Sequence, residues 1–192
     1  MKLVFATHNK NKLREVQAII PKHIELLSLE DIGCFEEIEE NGATIEENAA
    51  IKANYVFENY QVNCFADDTG LEVESLDGAP GVYSARYAGL QKSAEDNMQK
   101  LLEELKDKDN RNARFKTVIA LRTTHEKIIF NGIINGTITK DKKGENGFGY
   151  DPVFQAEGYQ QTFAEISSEE KNKVSHRALA MKQLIDYLKI KP

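Results

Sequence analysis

Tryptophan is absent from this chain, proline occurs four times and cysteine only twice. The two cysteines, Cys34 and Cys64, form neither a disulfide framework nor a C-x-x-C pair, so both are expected as reduced, buried thiols. No apolar run approaches the ~20 residues of a membrane span. Four apolar residues in a row, Leu3 to Ala6, are too few for the core of an export signal, and a cytoplasmic setting is expected. Basic charge is also short: 25 Lys and Arg stand against 31 Asp and Glu, a formal net charge of -6. That argues against a general nucleic-acid or membrane-surface binder, whose footprint is basic. A small anionic ligand stays open, because a local cluster of Lys and Arg can oppose the global charge. What is present is ordinary for a soluble globular protein: 192 residues, 41% hydrophobic and 29% charged, enough for one domain with a sizeable core or for one domain of two lobes.

The stretch Phe65-Ala66-Asp67-Asp68-Thr69-Gly70-Leu71 organises the rest. Cys64 to Ala66 reads as the end of a buried strand. Asp is depleted in strands, and a glycine follows the tandem acids, so a turn with positive φ is expected at Gly70. Two negative charges at the carboxyl end of a strand lie where α/β proteins bind ligands. One carboxylate there can hold a hard cation such as Mg²⁺, and its neighbour can take a proton from water. The alternative is a solvated Asp-x-x-Gly turn.

Upstream, Lys2 to Ala6 reads as a strand that feeds a helix ending near Ile20, with Leu13, Val16, Ile19 and Ile20 at helical spacing and Pro21 beyond. The connecting turn holds Thr7, His8, Asn9, Lys10, Asn11 and Lys12. The free N–H groups of a helix start favour an anion, and two lysines with a hydroxyl and an amide suit phosphate oxygens. A plain capped surface helix explains the same residues. Ile24 to Leu27 is a second strand. The acidic run Glu36-Glu37-Ile38-Glu39-Glu40 is either a solvated loop or the source of a carboxylate reaching the same cation as Asp68. Thr44 and Glu47 match a capping box that opens a helix running to about Asn59.

Further on, Gly78-Ala79-Pro80-Gly81 is a loop, and Ser93 caps a helix to about Lys106. Arg114 to Arg122 and Lys127 to Thr139 read as a hairpin around Thr-Thr-His-Glu, which makes the sheet mixed. Gly147 and Gly149 flank Phe148 and would let backbone approach a flat ligand, with Phe148 and Tyr150 stacking on a base; ordinary core aromatics are the alternative. Ser167 and Glu170 form a second capping box, opening a short helix that contains Lys171. Ser175-His176-Arg177 opens the last helix, whose buried stripe is Met181, Leu184, Ile185 and Leu188. A cation at a helix N-terminus opposes the dipole, so His176 and Arg177 call for a compensating anion or carbonyl-rich ligand.

Six blocks in order resemble the inosine triphosphate pyrophosphatase family, over nearly the whole chain: Thr7 to Lys12, Glu47-Asn48-Ala49 with Lys52-Ala53, Ala66 to Leu71, Gly78 to Arg86, Phe148 to Pro152, and Ser175-His176-Arg177. The resemblance implies an α/β fold, an elongated mixed sheet flanked by helices with two lobes around a central cleft, and one such domain over residues 1–192. It implies hydrolysis of purine triphosphates with altered bases, ITP, dITP and XTP, to the monophosphate and pyrophosphate. In that reading Asp68 is the catalytic carboxylate and a Mg²⁺ ligand. Glu39, three residues before Gly42, is the second ligand, with Glu40 as its substitute. Thr7, His8, Asn9, Lys10, Asn11 and Lys12 hold the triphosphate, and Thr69 keeps the hydroxyl that many relatives supply from serine. Phe148, Gly149, Tyr150, Asp151, Lys171, His176 and Arg177 hold the base. A cytoplasmic homodimer with a nucleotide as its small-molecule partner, and without nucleic-acid or membrane partners, completes the expectation.

Overall fold

The computed structural model describes residues 1–190. Its strands are β1 (Lys2–Phe5), β2 (Glu25–Leu27), β3 (Cys64–Val73), β4 (Asn112–Arg122), β5 (Lys127–Ile138) and β6 (Phe154–Ala156). They form one sheet in the order β2-β1-β3-β4-β5-β6. β1 pairs in parallel with β2 and β3, with Val4 opposite Leu27 and Cys64, while β6 is antiparallel to β5. The sheet is therefore mixed, as expected. The turn after β4 closes with the Thr123 N–H donating to the Glu126 carbonyl at 2.9 Å. The helices are α1 (Lys10–Ile19), α2 (Ile45–Tyr60), α3 (Ala94–Glu104), α4 (Ser168–Val174) and α5 (His176–Ile190).

The helix starts follow local chemistry. Thr44 Oγ1 accepts from the Glu47 N–H, and the Glu47 carboxylate accepts from the Thr44 and Ala43 N–H groups, so the expected capping box of α2 is complete. At α4 the Ser167 hydroxyl caps the Glu170 N–H at 3.1 Å. The Glu170 carboxylate accepts instead from the Tyr159 hydroxyl, 2.9 Å away. The tyrosine thus replaces the backbone partner that the sequence suggested.

The tandem acids do not end a strand. β3 runs unbroken from Cys64 to Val73, with Asp67, Asp68 and Gly70 inside it. The propensity argument failed because propensity in strands is mostly a matter of what the side chains meet. Here they meet buried cations.

Two compact units share these elements. One comprises Met1–Asp68, Thr117–Gly132 and the chain from Arg177 onward; the other comprises Thr69–Lys116 and Ile133–His176. The core of the first unit gathers Leu3 and Phe5 of β1, Val16 of α1, Phe65 of β3, Ile119 and Leu121 of β4, and Met181 and Leu184 of α5. The rings of Phe5 and Phe65 stack at 4.6 Å on adjacent parallel strands. In the second unit, Leu71, Val73 and Leu101 pack with Phe115, Phe154 and Phe163. Each such fully buried apolar side chain contributes about 1.5–3 kcal/mol over leaving it in water.

Candidate active site

Successive strand residues point to opposite faces of a sheet, and the two acids of β3 meet different partners. Asp67 is 1% exposed. It accepts from Lys12 Nζ at 2.9 Å and from Arg177 Nε at 3.0 Å. Arg177 also donates through Nη1 to Glu15 of α1. Asp68 lies 3.5 Å from Lys52 Nζ, and that ammonium also donates to Glu40 Oε2 at 2.9 Å. Three cations and four carboxylates of the first unit are thereby paired in two groups, one at each acid of β3. An isolated buried charge would cost several kcal/mol, so each side chain here depends on its partners.

Burial and pairing pull the acidities in different directions. For Asp67, burial alone would raise the pKa, but Lys12, Arg177 and Lys52 together outweigh it and hold the carboxyl well below the usual range. For Asp68, burial is the largest influence and is reinforced by Glu40 and Asp67. It wins over Lys52 and Lys12, so this carboxyl sits above its ordinary value. Burial pushes Glu40 up as well, but Lys52 and then Lys12 overcome it and hold Glu40 low. Lys12 is lowered, chiefly by burial. Lys52 is raised, because Asp68, Glu40 and Asp67 outweigh its burial. Two adjacent aspartates thus differ in character: one is a fixed anion, the other a carboxylate inclined to take a proton.

The sequence-derived candidates divide. Lys12 and Asp68 are in this array. So is Glu40, whereas Glu39 is exposed. Of the two carboxylates that the resemblance left open, the structure brings Glu40 to Asp68. The start of α1, where an anion is expected, carries a side-chain cap. Asn9 Oδ1 accepts from the Asn11 and Lys12 N–H groups, and Thr7 Oγ1 accepts from the Asn9 N–H. His8 Nε2 bonds the Glu36 carbonyl at 2.9 Å, and Lys10 is exposed. Arg177 was expected at a base. It is 2% exposed with Asp67 and Glu15 as partners, and these carboxylates supply the compensation that a cation at a helix start requires.

The second unit assembles its own cluster. Asp151 Oδ2 accepts from Lys171 Nζ at 2.6 Å and from the Phe148 N–H at 2.8 Å. The Lys171 ammonium lies 4.8 Å from the centre of the Phe148 ring, a cation–π contact. Gly147 has φ +74, and a Cβ there would stand 2.1 Å from Asp151 Oδ2. That glycine therefore makes room for the carboxylate. Gly149 also has positive φ, with open space where a Cβ would be. Tyr150 is buried in the core, and its hydroxyl donates to the Ser84 carbonyl at 2.9 Å. His176 is buried, its ring stacked on Phe115 at 4.4 Å. Thr69 is half-buried in β3.

Lys52 was not singled out as a site residue beforehand, nor was Glu15. A signal for Lys52 existed: it is a lysine between Ala49 and Ala53 on the small-residue face of α2, where both alanines are fully buried. A charged group on such a face needs carboxylate company.

Among the described residues no three His, Cys, Asp or Glu side chains are gathered as a ready metal cage. The donor set still fits Mg²⁺, which commonly takes one or two carboxylates and completes its shell with water and substrate phosphates. Glu40 and Asp68 supply two carboxylates, and the Lys52 ammonium bridging them marks a place where positive charge is favoured.

A mixed-sheet α/β protein that buries lysines and carboxylates around one strand has positive charge to meet a phosphate anion and carboxylates to hold a cation. A model of the Ham1 family matches residues 3–187, and the chain belongs to that family. It is 60% identical over 188 residues to a dITP/XTP pyrophosphatase of Christiangramia forsetii, covering 98% of this chain and 99% of that protein. A dITP/XTP pyrophosphatase of Thermoanaerobacter pseudethanolicus is 46% identical over 191 residues, covering 98% of this chain and 96% of that protein. Among solved structures, the Ham1 protein of Staphylococcus aureus superposes with a TM-score of 0.91 at 38% identity, over 100% of both chains.

Proposed function

We propose that this protein hydrolyses purine nucleoside triphosphates carrying a 6-oxo base, such as ITP, dITP and XTP, to the monophosphate and pyrophosphate, with Mg²⁺ as cofactor. The array of Asp68, Lys52 and Glu40 carries the reading, and the naming of relatives 46% and 60% identical to it supports the substrate class. Glu40 and Asp68 would hold Mg²⁺, whose charge, when bound, offsets that spreading over the phosphate oxygens.

Asp68 acts as general base toward the water that attacks the α-phosphorus. Burial inclines its carboxyl to accept a proton, and the Lys52 ammonium stands 3.5 Å from it. Lys52 keeps Asp68 ionised enough to accept the proton. Lys12 presents a positive charge to phosphate, and Asp67 with Arg177 fixes where that ammonium sits. Arg177 is then a positioning residue, and base reading falls to Phe148, Lys171 and His176 of the second unit. Donors there match the O6 and N7 acceptors of a 6-oxo purine. Adenine offers an amino group at position 6, and each donor left without its acceptor costs about 1–3 kcal/mol.

We read residues 1–192 as one pyrophosphatase domain of two lobes, acting as a cytoplasmic homodimer on free nucleotides. No helix among the described residues is long and apolar enough to cross a membrane. The test is pyrophosphate release from a panel of triphosphates. Turnover of ITP, dITP and XTP at least about 10-fold above that of ATP and dATP is expected from one or two lost donor pairings. Equal turnover of dITP and dATP rejects the selective reading.

A further inference from the structure

We infer that Asn48 is a positioning residue that sets the Glu40 carboxylate by pinning the backbone two residues after it. The inference rests on the proposed role of Glu40 as a metal ligand. Asn48 opens the second turn of α2 and is 1% exposed. Its Oδ1 accepts from the Gly42 N–H at 2.8 Å. The next two N–H groups, of Ala43 and Thr44, go to the Glu47 carboxylate at 2.6 and 3.2 Å. Three consecutive backbone donors are therefore tied to two side chains of one helical turn. The segment that carries Glu40 enters the helix with no freedom to shift. Gly42 is the matching half of the device. A Cβ there would lie 2.7 Å from Glu47 Cβ and 2.8 Å from Asn48 Oδ1, so only glycine lets the loop come this close.

Position 48 also lies one turn before Lys52, on the same face of the helix. Asn48 grips the loop behind Glu40, and Lys52 meets the Glu40 carboxylate itself at 2.9 Å. One helix face thus sets both the backbone and the side chain of the ligand. The Asn48 Nδ2 group is buried without a hydrogen-bond partner. An unsatisfied buried donor is unfavourable, so stability alone does not account for an asparagine here, and an acceptor-only side chain would pack as well. The Oδ1 bond to Gly42 is what the position supplies.

Mn²⁺ is the probe, titrated into the full chain and read by the loss of its free EPR signal, with melting temperature measured on the same samples. Outer residues that orient a metal ligand typically matter 10–100-fold in affinity. Asn48→Ala and, independently, Gly42→Ala are each expected to weaken Mn²⁺ binding about 10-fold. Asn48→Asp, which keeps the acceptor for the Gly42 N–H, is expected to retain it. If Asn48→Ala does not fold, Gly42→Ala gives the answer. Glu40→Gln separates this inference from the reading beneath it. If Glu40→Gln leaves Mn²⁺ binding unchanged, the ligand role of Glu40 falls, and the inference with it. If Glu40→Gln weakens binding but Asn48→Ala and Gly42→Ala only lower the melting temperature, the ligand role stands and the positioning role is overturned.

Discussion

Asp67 and Asp68 are chemically identical neighbours, yet removing their charges should have opposite consequences. In Asp67→Asn the Arg177 guanidinium loses one of the two carboxylates it is paired with, Glu15 being the other, and Lys12 loses its 2.9 Å ion pair. Both cations remain buried. Breaking a buried pair by removing one partner costs about 3–5 kcal/mol. For a chain of this size each kcal/mol moves the melting temperature by roughly 2–4 °C, so a drop of about 6–20 °C is expected by calorimetry. Asp68→Asn differs, because burial already disfavours the ionised Asp68 carboxyl and Lys52 retains Glu40. Its stability should stay within about 1 kcal/mol of the parent, while turnover falls by about 10²-fold or more, the scale of losing a general base. The pH dependence carries the same signature. The Asp67 pKa is depressed in the fold, so its contribution is complete above the unfolded value of 3.8 and is lost as pH falls below it. The gap in melting temperature between parent and Asp67→Asn should therefore hold at neutral pH and close in acid. Asp68 is raised, so its effect has the opposite sign: stability is lost as pH rises from 3.8 through its folded value. Two variants melting within about 2 °C of each other at neutral pH, well inside the expected gap, would refute the division of labour between the two acids.

Replacing Lys52 by Met removes the cation shared by Glu40 and Asp68. Asp68 should then rise further, moving the acidic limb of the kcat/KM profile to higher pH. A pH–rate profile on dITP measures it. Gly147→Ala would force a side chain onto positive φ and into Asp151 Oδ2. Strain of about 1–3 kcal/mol is expected, read as a lower melting temperature, and KM for dITP should rise if the Asp151–Lys171–Phe148 cluster serves the base.

How much of this was legible depends on where each cause lies along the chain. Thr44 and Glu47 announce the start of α2 because both halves of the capping box fall within one turn. The alternation of β4 and β5 and the stripe of α5 are local in the same sense. The interior position of Asp67 and Asp68 in β3 was not legible. Its cause lies 55 residues upstream, at Lys12, and 110 residues downstream, at Arg177. The same distance hid the partners of Arg177, whose cation at a helix start calls for an anion and finds Asp67. Glu39 and Glu40 could not be separated because an irregular loop has no period to set its register; the bond from Asn48 to Gly42 sets it. Tyr150 stands beside glycines, where a ring suits either role, and its burial with a bond to the Ser84 carbonyl, 66 residues away, is not written in that local pattern.

Why the chain should place two acids side by side follows from the charges. Lys12, Lys52 and Arg177 stand against Glu15, Glu40, Asp67 and Asp68, leaving one negative charge in excess. A triphosphate approaching that array alone would be repelled, and a divalent cation would be attracted. On the proposed function, substrate and metal are therefore mutually dependent, with the nucleotide bound as its metal complex. Asp67 makes this possible by consuming the charge of Arg177 and part of that of Lys12. Without it the array would be neutral, three cations against three carboxylates, and would lose the excess negative charge that disfavours a phosphate arriving without a metal. The inner aspartate sets the net charge, and the outer one is left to react.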